Sequence, residues 1–303
     1  MRVDTQFLQS DFVAEILDLD TRTPPTAIEA AELRRLLGKH KVLVLRGQDL
    51  SNTGHVAFLG AFGPVRTECA SGALYTMMTN VDPEAEFAGS VELGFHADFQ
   101  FMEQGPLRVI SLYGVDVANA EPTLFCDMSA AAAAMPAELR RRLAGLKAVQ
   151  AMNFTRSYSE VGRCRLSERP TGAPDGAFPH HSRPVLDRHP VTGEIYLCVS
   201  QTMTSHIEGW SDAESDALFK EIEAYAYSPA NTYCHQWRTG DLVIWDNVAL
   251  QHARPALRAG SRRHLRRVFV HHLDFPTMLR GVTPDPERFS RDFGWWNDAS
   301  VQV

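Results

Sequence analysis

The chain has 303 residues, 44% hydrophobic and 22% charged, which is ordinary for a globular protein and excludes wholesale disorder. A net charge of -7 argues against nucleic acid or an anionic membrane as partner, and no run of 18 apolar residues suggests a membrane span. Cysteines 69, 126, 164, 198 and 234 form no C-x-x-C pair and are odd in number, so neither a disulfide framework nor a cysteine zinc site is expected.

In chain order, residues 1 to 20 carry acids at 4, 11, 15, 18 and 20 and lack the apolar run of a signal peptide, so a reducing cytoplasm is expected. Thr26-Ala27-Ile28-Glu29 is a capping box that opens a helix through Leu33, Leu36 and Leu37. Lys41 to Gly47 reads as a buried strand, and Ser51 is the cap of a helix that Gly63-Pro64 stops. Residues 65 to 93 show little periodicity and read as a long loop, a candidate lid. Further strands are expected over Leu107–Val115, Glu121–Asp127, Glu194–Val199, Leu242–Trp245 and Arg266–Leu273. Helices are expected at Ala130–Ala134, Pro136–Leu146 and, from the capping box Ser211 to Glu214, onward to Tyr225. Arg163–Pro179, rich in Gly, Pro, Arg and Ser, is the best candidate for a flexible insertion. Short strands with helices at the front and outside predict a mostly β fold with flanking helices around a double-stranded β-helix, or jelly-roll, core. One domain is expected over 1–303, its core at about 30–273 and an extension over 274–303 that carries Trp295-Trp296.

The stretch Gly94-Phe95-His96-Ala97-Asp98-Phe99-Gln100-Phe101 carries the chemistry. In an extended strand His96 and Asp98 share a face, and an imidazole with a carboxylate suits a borderline divalent ion. Such a pair needs a second histidine, and His252, after the strand at Leu242–Trp245, supplies one. Beyond it lies Arg262-Arg263-His264-Leu265-Arg266-Arg267, where alternation puts Arg263, Leu265 and Arg267 on one face. Two inward guanidiniums beside a metal require an anionic ligand. The adjacent pairs His180-His181 and His271-His272 would point to opposite faces of a strand and so form no chelate.

With these residues in place, the chain resembles the taurine dioxygenase/2,4-dichlorophenoxyacetate dioxygenase family of Fe(II)- and 2-oxoglutarate-dependent oxygenases. The likeness rests on Val42–Gly47, Phe62-Gly63, Phe95-His96-Ala97-Asp98, Pro122–Phe125, His189-Pro190 with Gly193, and Trp237 through Arg267. Its spacing is specific: Thr123 follows Asp98 by 25, and Arg263 and Arg267 follow His252 by 11 and 15. The resemblance implies that His96, Asp98 and His252 bind iron, that Thr123 and Arg263 hold the distal carboxylate of 2-oxoglutarate, and that Arg267 lies near substrate or co-substrate. Phe99, Phe101 and Arg66 are candidate substrate contacts.

Two departures bear on the substrate. The family usually has Trp-His-Thr-Asp where this chain has Phe95-His96-Ala97-Asp98, and Gly-Gly-Asp where it has Ala120-Glu121-Pro122. Taurine and aryloxyacetates are therefore not transferred. The resemblance implies conversion of 2-oxoglutarate and O2 to succinate and CO2, with hydroxylation of a small organic molecule the default outcome and desaturation, ring formation or cleavage alternatives. An intact Asp98 argues against halogenation, since related halogenases lack that carboxylate. The Arg263–Val268 segment also resembles members of secondary metabolism that act on amino-acid derivatives, so a carboxylate-bearing or amino-acid-derived metabolite is expected. A zinc-dependent hydrolase or a non-catalytic jelly-roll binding protein is the alternative from another class, and self-association is left open.

Overall fold

The computed structural model describes residues 5–8, 10–67, 72–82, 87–88, 90–154 and 162–282. Two strands, β1 (Thr5–Leu8) and β2 (Ser10–Ile16), precede α1 (Ala27–His40). Both arms of the expected capping box are made: Thr26 Oγ1 accepts from Glu29 N, and Glu29 accepts from Thr26 N. Next come β3 (Val42–Leu45) and α2 (Asn52–Leu59), capped by Ser51, whose hydroxyl accepts from Gly54 N at 3.0 Å.

The region expected to be a loop over 65–93 instead contains β4 (Val65–Arg66), β5 (Thr76–Thr79), β6 (Phe87–Ala88) and β7 (Leu93–His96). β5 reads Thr-Met-Met-Thr, without the alternation that marks a strand in sequence, and forms by pairing along a distant edge. Then follow β8 (Val109–Ala118), β9 (Thr123–Asp127), α3 (Met128–Ala134), α4 (Ala137–Leu143) and β10 (Lys147–Ala151). β11 (His180–Pro184), β12 (Leu186–Arg188), β13 (Ile195–Leu197) and β14 (Thr204–Ile207) lead to α5 (Asp212–Ala226). β15 (Thr232–His235), β16 (Leu242–Asp246), β17 (Leu250–Arg254), β18 (Arg262–Val270) and α6 (Phe275–Met278) complete the described chain.

Strands β1-β2-β3-β16-β8-β18-β5-β6 form one large sheet, with β4 joined to β18, and β15-β9-β17-β7 form a second. Between the two lies an inner core of Val42, Val44, Ile110, Val243, Trp245, Leu265 and Phe269 against Phe125, Tyr233 and Leu250. The alternate residues Leu43, Leu45, Ile244 and Val268 pack outward under Leu33, Leu36, Leu37 and Phe58. This is why β3 is buried on every residue: a strand covered on both faces reads as a continuous apolar run. Behind the second sheet, Phe95, Cys126 and Ala253 pack against α3 and α5. The fold is the expected jelly roll with helices on its outside.

The span from Arg163, expected to be flexible, is tied down. Arg163 donates to the Ser200 and Thr204 carbonyls and to Glu223, and Arg165 pairs with Asp216. Glycine matters at one close approach. A Cβ on Gly114 would meet the Arg238 carbonyl at 2.6 Å, so only glycine lets the turn that carries Trp237 lie on β8. Trp295-Trp296 fall outside the described residues.

Candidate metal and anion site

His96 is the last residue of β7, and His252 sits directly opposite it on β17. Cross-strand partners put their side chains on one face, here the inner one, and the two rings stand 4.3 Å apart. Asp98 departs from the expected geometry, because it lies beyond the strand, in a turn. Asn247 clamps that turn at two points: its Oδ1 accepts from Asp98 N, and its Nδ2 donates to the Asp98 carbonyl, both at 3.1 Å. Phe99 takes a left-handed φ of 61°, unusual for a side chain of this bulk, and lets the chain reverse just after the carboxylate.

Ligand atoms of His96, Asp98 and His252 all lie within 4.8 Å of one another. His96 Nδ1 donates to the Gly94 carbonyl at 2.8 Å, which leaves its Nε2 lone pair facing Asp98 Oδ1 at 3.3 Å. His252 Nε2 is 3.9 Å from the same oxygen. The second carboxylate oxygen accepts from Arg267 Nη2 at 2.8 Å. Burial would raise the Asp98 carboxyl, but Arg267 and both imidazoles more than reverse it and hold the acid well below the usual carboxylate range. Burial, reinforced by His96, pushes His252 down to about 3. Two imidazoles and an ionised carboxylate, with the Gly94 carbonyl fixing the tautomer of His96, fit a divalent transition metal.

The inner face continues on β18. The alternation expected for Arg263, Leu265 and Arg267 holds, since the bulge opposite them inserts its extra residue, Val115, into β8 rather than β18. Arg263 Nη2 donates to Thr123 Oγ1 at 3.0 Å, and its guanidinium lies 5.9 Å from the Trp237 ring centre. It is only 6% exposed, its Nε has no partner among the described residues, and no carboxylate there pairs with it. Burial, with Arg254 adding to it and Glu121 opposing, pushes the guanidinium down to about 9. A buried cation without a counter-ion is costly in the empty protein and fits an anionic ligand.

The remaining candidates are placed less centrally. Phe101 is 3% exposed and packs edge-on against Phe154 within the inner core, with half-buried Phe99 beside it. Arg66 donates to the His271 and His272 carbonyls beyond the end of β18. Those two histidines do not point apart as expected: the strand ends at Val270, and the rings lie 4.3 Å from each other. Asn247 and Trp237 also belong to the site, through Asp98 and Thr123. Their contacts to the site join segments far apart in the chain, and no local pattern announces them.

The model of the taurine catabolism dioxygenase TauD, TfdA family matches residues 4–269. An alpha-ketoglutarate-dependent 2,4-dichlorophenoxyacetate dioxygenase of Cupriavidus pinatubonensis is 30% identical over 276 residues, spanning 84% of this chain and 93% of that protein. Pentalenolactone F synthase of Streptomyces arenae is 30% identical over 256 residues, spanning 78% and 84%. The crystal structure of AAD-2 in complex with Mn(II) and N-oxalylglycine superposes with a TM-score of 0.72 at 25% identity, over 89% of this chain and 97% of that one.

Proposed function

This chain belongs to the TauD, TfdA family of taurine catabolism dioxygenases, and from that premise we propose that His96, Asp98 and His252 hold its Fe(II), while Thr123 and Arg263 hold its 2-oxoglutarate. It is a non-haem iron, 2-oxoglutarate-dependent dioxygenase of small molecules. The convergence of three ligand atoms within 4.8 Å carries the assignment of iron ligands. Bound there, Fe(II) supplies the activation of O2 against 2-oxoglutarate that yields succinate and CO2.

The chain's own residues do the rest. Arg267 holds the Asp98 carboxylate ionised and oriented, and Asn247 holds the backbone beneath it. The buried Arg263 presents a preformed cation to the far carboxylate of the co-substrate, so the reactive end of that molecule is oriented by its opposite end. Phe99, Phe101 and Phe154 pack ring against ring in the inner core, and their proposed part is to limit water at the reacting atoms. A hydrolase has no use for Arg263 and Thr123 in this arrangement, and a simple binding protein has none for His96, Asp98 and His252.

As substrate we propose a carboxylate-bearing or amino-acid-derived biosynthetic metabolite, most simply hydroxylated. The relative named for pentalenolactone F supports a role in secondary metabolism. Arg267, Phe99, Phe101 and Arg66 are the residues proposed to face it. We further propose one oxygenase domain with residues 274–303 as an extension, a cytoplasmic setting, and no nucleic-acid or membrane partner. No helix among the described residues is long and apolar enough to cross a membrane, and Cys126, Cys164, Cys198 and Cys234 carry free thiols.

The test is succinate release from 2-oxoglutarate with Fe(II) and ascorbate, across a panel of amino-acid-like and carboxylic acids. Substrate-stimulated turnover is expected in the wild type and should fall at least about a thousand-fold in His96→Ala. No turnover with any compound, combined with no visible charge-transfer band when Fe(II) and 2-oxoglutarate are added anaerobically, would overturn the reading.

A further inference from the structure

Thr123 has an unusual hydrogen-bond balance. A hydroxyl offers two lone pairs and one proton. Arg263 Nη2 donates to Thr123 Oγ1 at 3.0 Å and Trp237 Nε1 donates to it at 2.9 Å, so both lone pairs are engaged. The proton has no acceptor among the described residues, and the side chain is 2% exposed, so water does not readily supply one. The hydroxyl is thus committed as a donor, beside a buried guanidinium whose Nε is also without an acceptor.

Trp237 imposes this commitment, since indole N–H donates and never accepts. Its ring is held in turn. His235 pairs directly with Thr123 across β15 and β9 and packs edge-on against Trp237 at 4.6 Å. His235 Nδ1 meets the Tyr233 hydroxyl at 3.0 Å, and its Nε2 lies 3.2 Å from Asp241, which Arg46 also pairs. The indole therefore sits in a braced pocket rather than filling a gap.

We propose that Trp237 is a positioning residue for the co-substrate: its N–H orients the Thr123 hydroxyl so that the Thr123 proton points to the distal carboxylate of 2-oxoglutarate. The inference rests on the assignment of Thr123 and Arg263 made above. Calorimetric titration of the Fe(II)-loaded protein without oxygen tests it, using 2-oxoglutarate and 2-oxopentanoate, which keeps the oxo-acid end and lacks the distal carboxylate. Trp237→Phe keeps a ring and deletes the donor. It is expected to weaken 2-oxoglutarate about ten-fold and leave 2-oxopentanoate unchanged. Added to Thr123→Val it should cost nothing further, because its effect passes through that hydroxyl. Equal weakening of both acids marks a merely structural tryptophan and overturns the proposal, as does additive loss in the double variant. If Thr123→Val itself leaves 2-oxoglutarate affinity intact, the co-substrate assignment falls and takes the Trp237 role with it. Loss in Thr123→Val with none in Trp237→Phe overturns the Trp237 role alone.

Discussion

Arg263 and Arg266 lie three residues apart on β18, both nearly buried, and face opposite sides of the same sheet. Outside, Arg266 is fully engaged: its Nε donates to His55 Nδ1, its Nη1 to Asn52 Oδ1 and its Nη2 to the Leu50 carbonyl, and the guanidinium stacks on Tyr113 at 4.7 Å. Inside, the Arg263 guanidinium makes a single hydrogen bond among the described residues, to Thr123, and is left with a buried Nε that has no partner there. The same residue type on the same strand is thus satisfied where it ties a helix to a sheet and unsatisfied at the proposed co-substrate site. Unmet hydrogen-bonding capacity in a buried cation is stability withheld for binding.

The sharpest way to break this comparison is at Arg263. Arg263→Met should lower 2-oxoglutarate affinity about a thousand-fold, or ~4 kcal/mol, while the ligand-free protein unfolds in urea at an equal or higher midpoint. A variant that loses folding stability and affinity together would make Arg263 a scaffold residue after all.

Arg266→Met is the converse. It strands His55, Asn52 and the Leu50 carbonyl, and a loss of about 3 kcal/mol is expected in urea unfolding. Co-substrate affinity of the protein that remains folded should stay within about two-fold of wild type, as read by the same calorimetry.

A smaller effect sharpens the scaffold side through pH. His55 is fully buried; that burial, with Arg266 adding to it, holds the imidazole well below its ordinary value of 6.5. Its Nδ1 accepts from Arg266, and its Nε2 lies 2.7 Å from the Ser111 hydroxyl. Above 6.5 both folded and unfolded chains carry it neutral, and its contribution is complete. As the pH falls below that value the unfolded chain takes up the proton first, so stability drops by about 1.4 kcal/mol per unit from this residue. Urea midpoints measured between pH 7.5 and 5.5 should fall less steeply in His55→Gln than in wild type. An identical slope in the two proteins would assign the pH dependence to other groups.

Much of the site was legible because it rests on short-range periodicity. The two-residue spacing of His96 and Asp98 marked a chelating pair, and the alternation of Arg263, Leu265 and Arg267 marked an inner face. Even so, Asp98 reaches the site from a turn rather than from the strand, held there by Asn247 from far along the chain. The region before the motif misled for a related reason. β5 has no alternation of its own, because both its faces and its pairing are dictated by the edge of β18. Arg267 was legible as an inward cation, but that its partner is the Asp98 carboxylate could only be seen in three dimensions.

By itself the sequence determined which residue types are available and which share a face, since side-chain direction follows from the local backbone period. It settled the helix starts at Thr26, Ser51 and Ser211 for the same reason, a cap being a contact across three residues. Tertiary structure alone decided the register that sets His252 against His96 and the packing that leaves Arg263 without a counter-ion. Those outcomes depend on pairing between segments far apart in the chain, where the free energy comes from the whole assembled core rather than from any stretch that could be read in isolation.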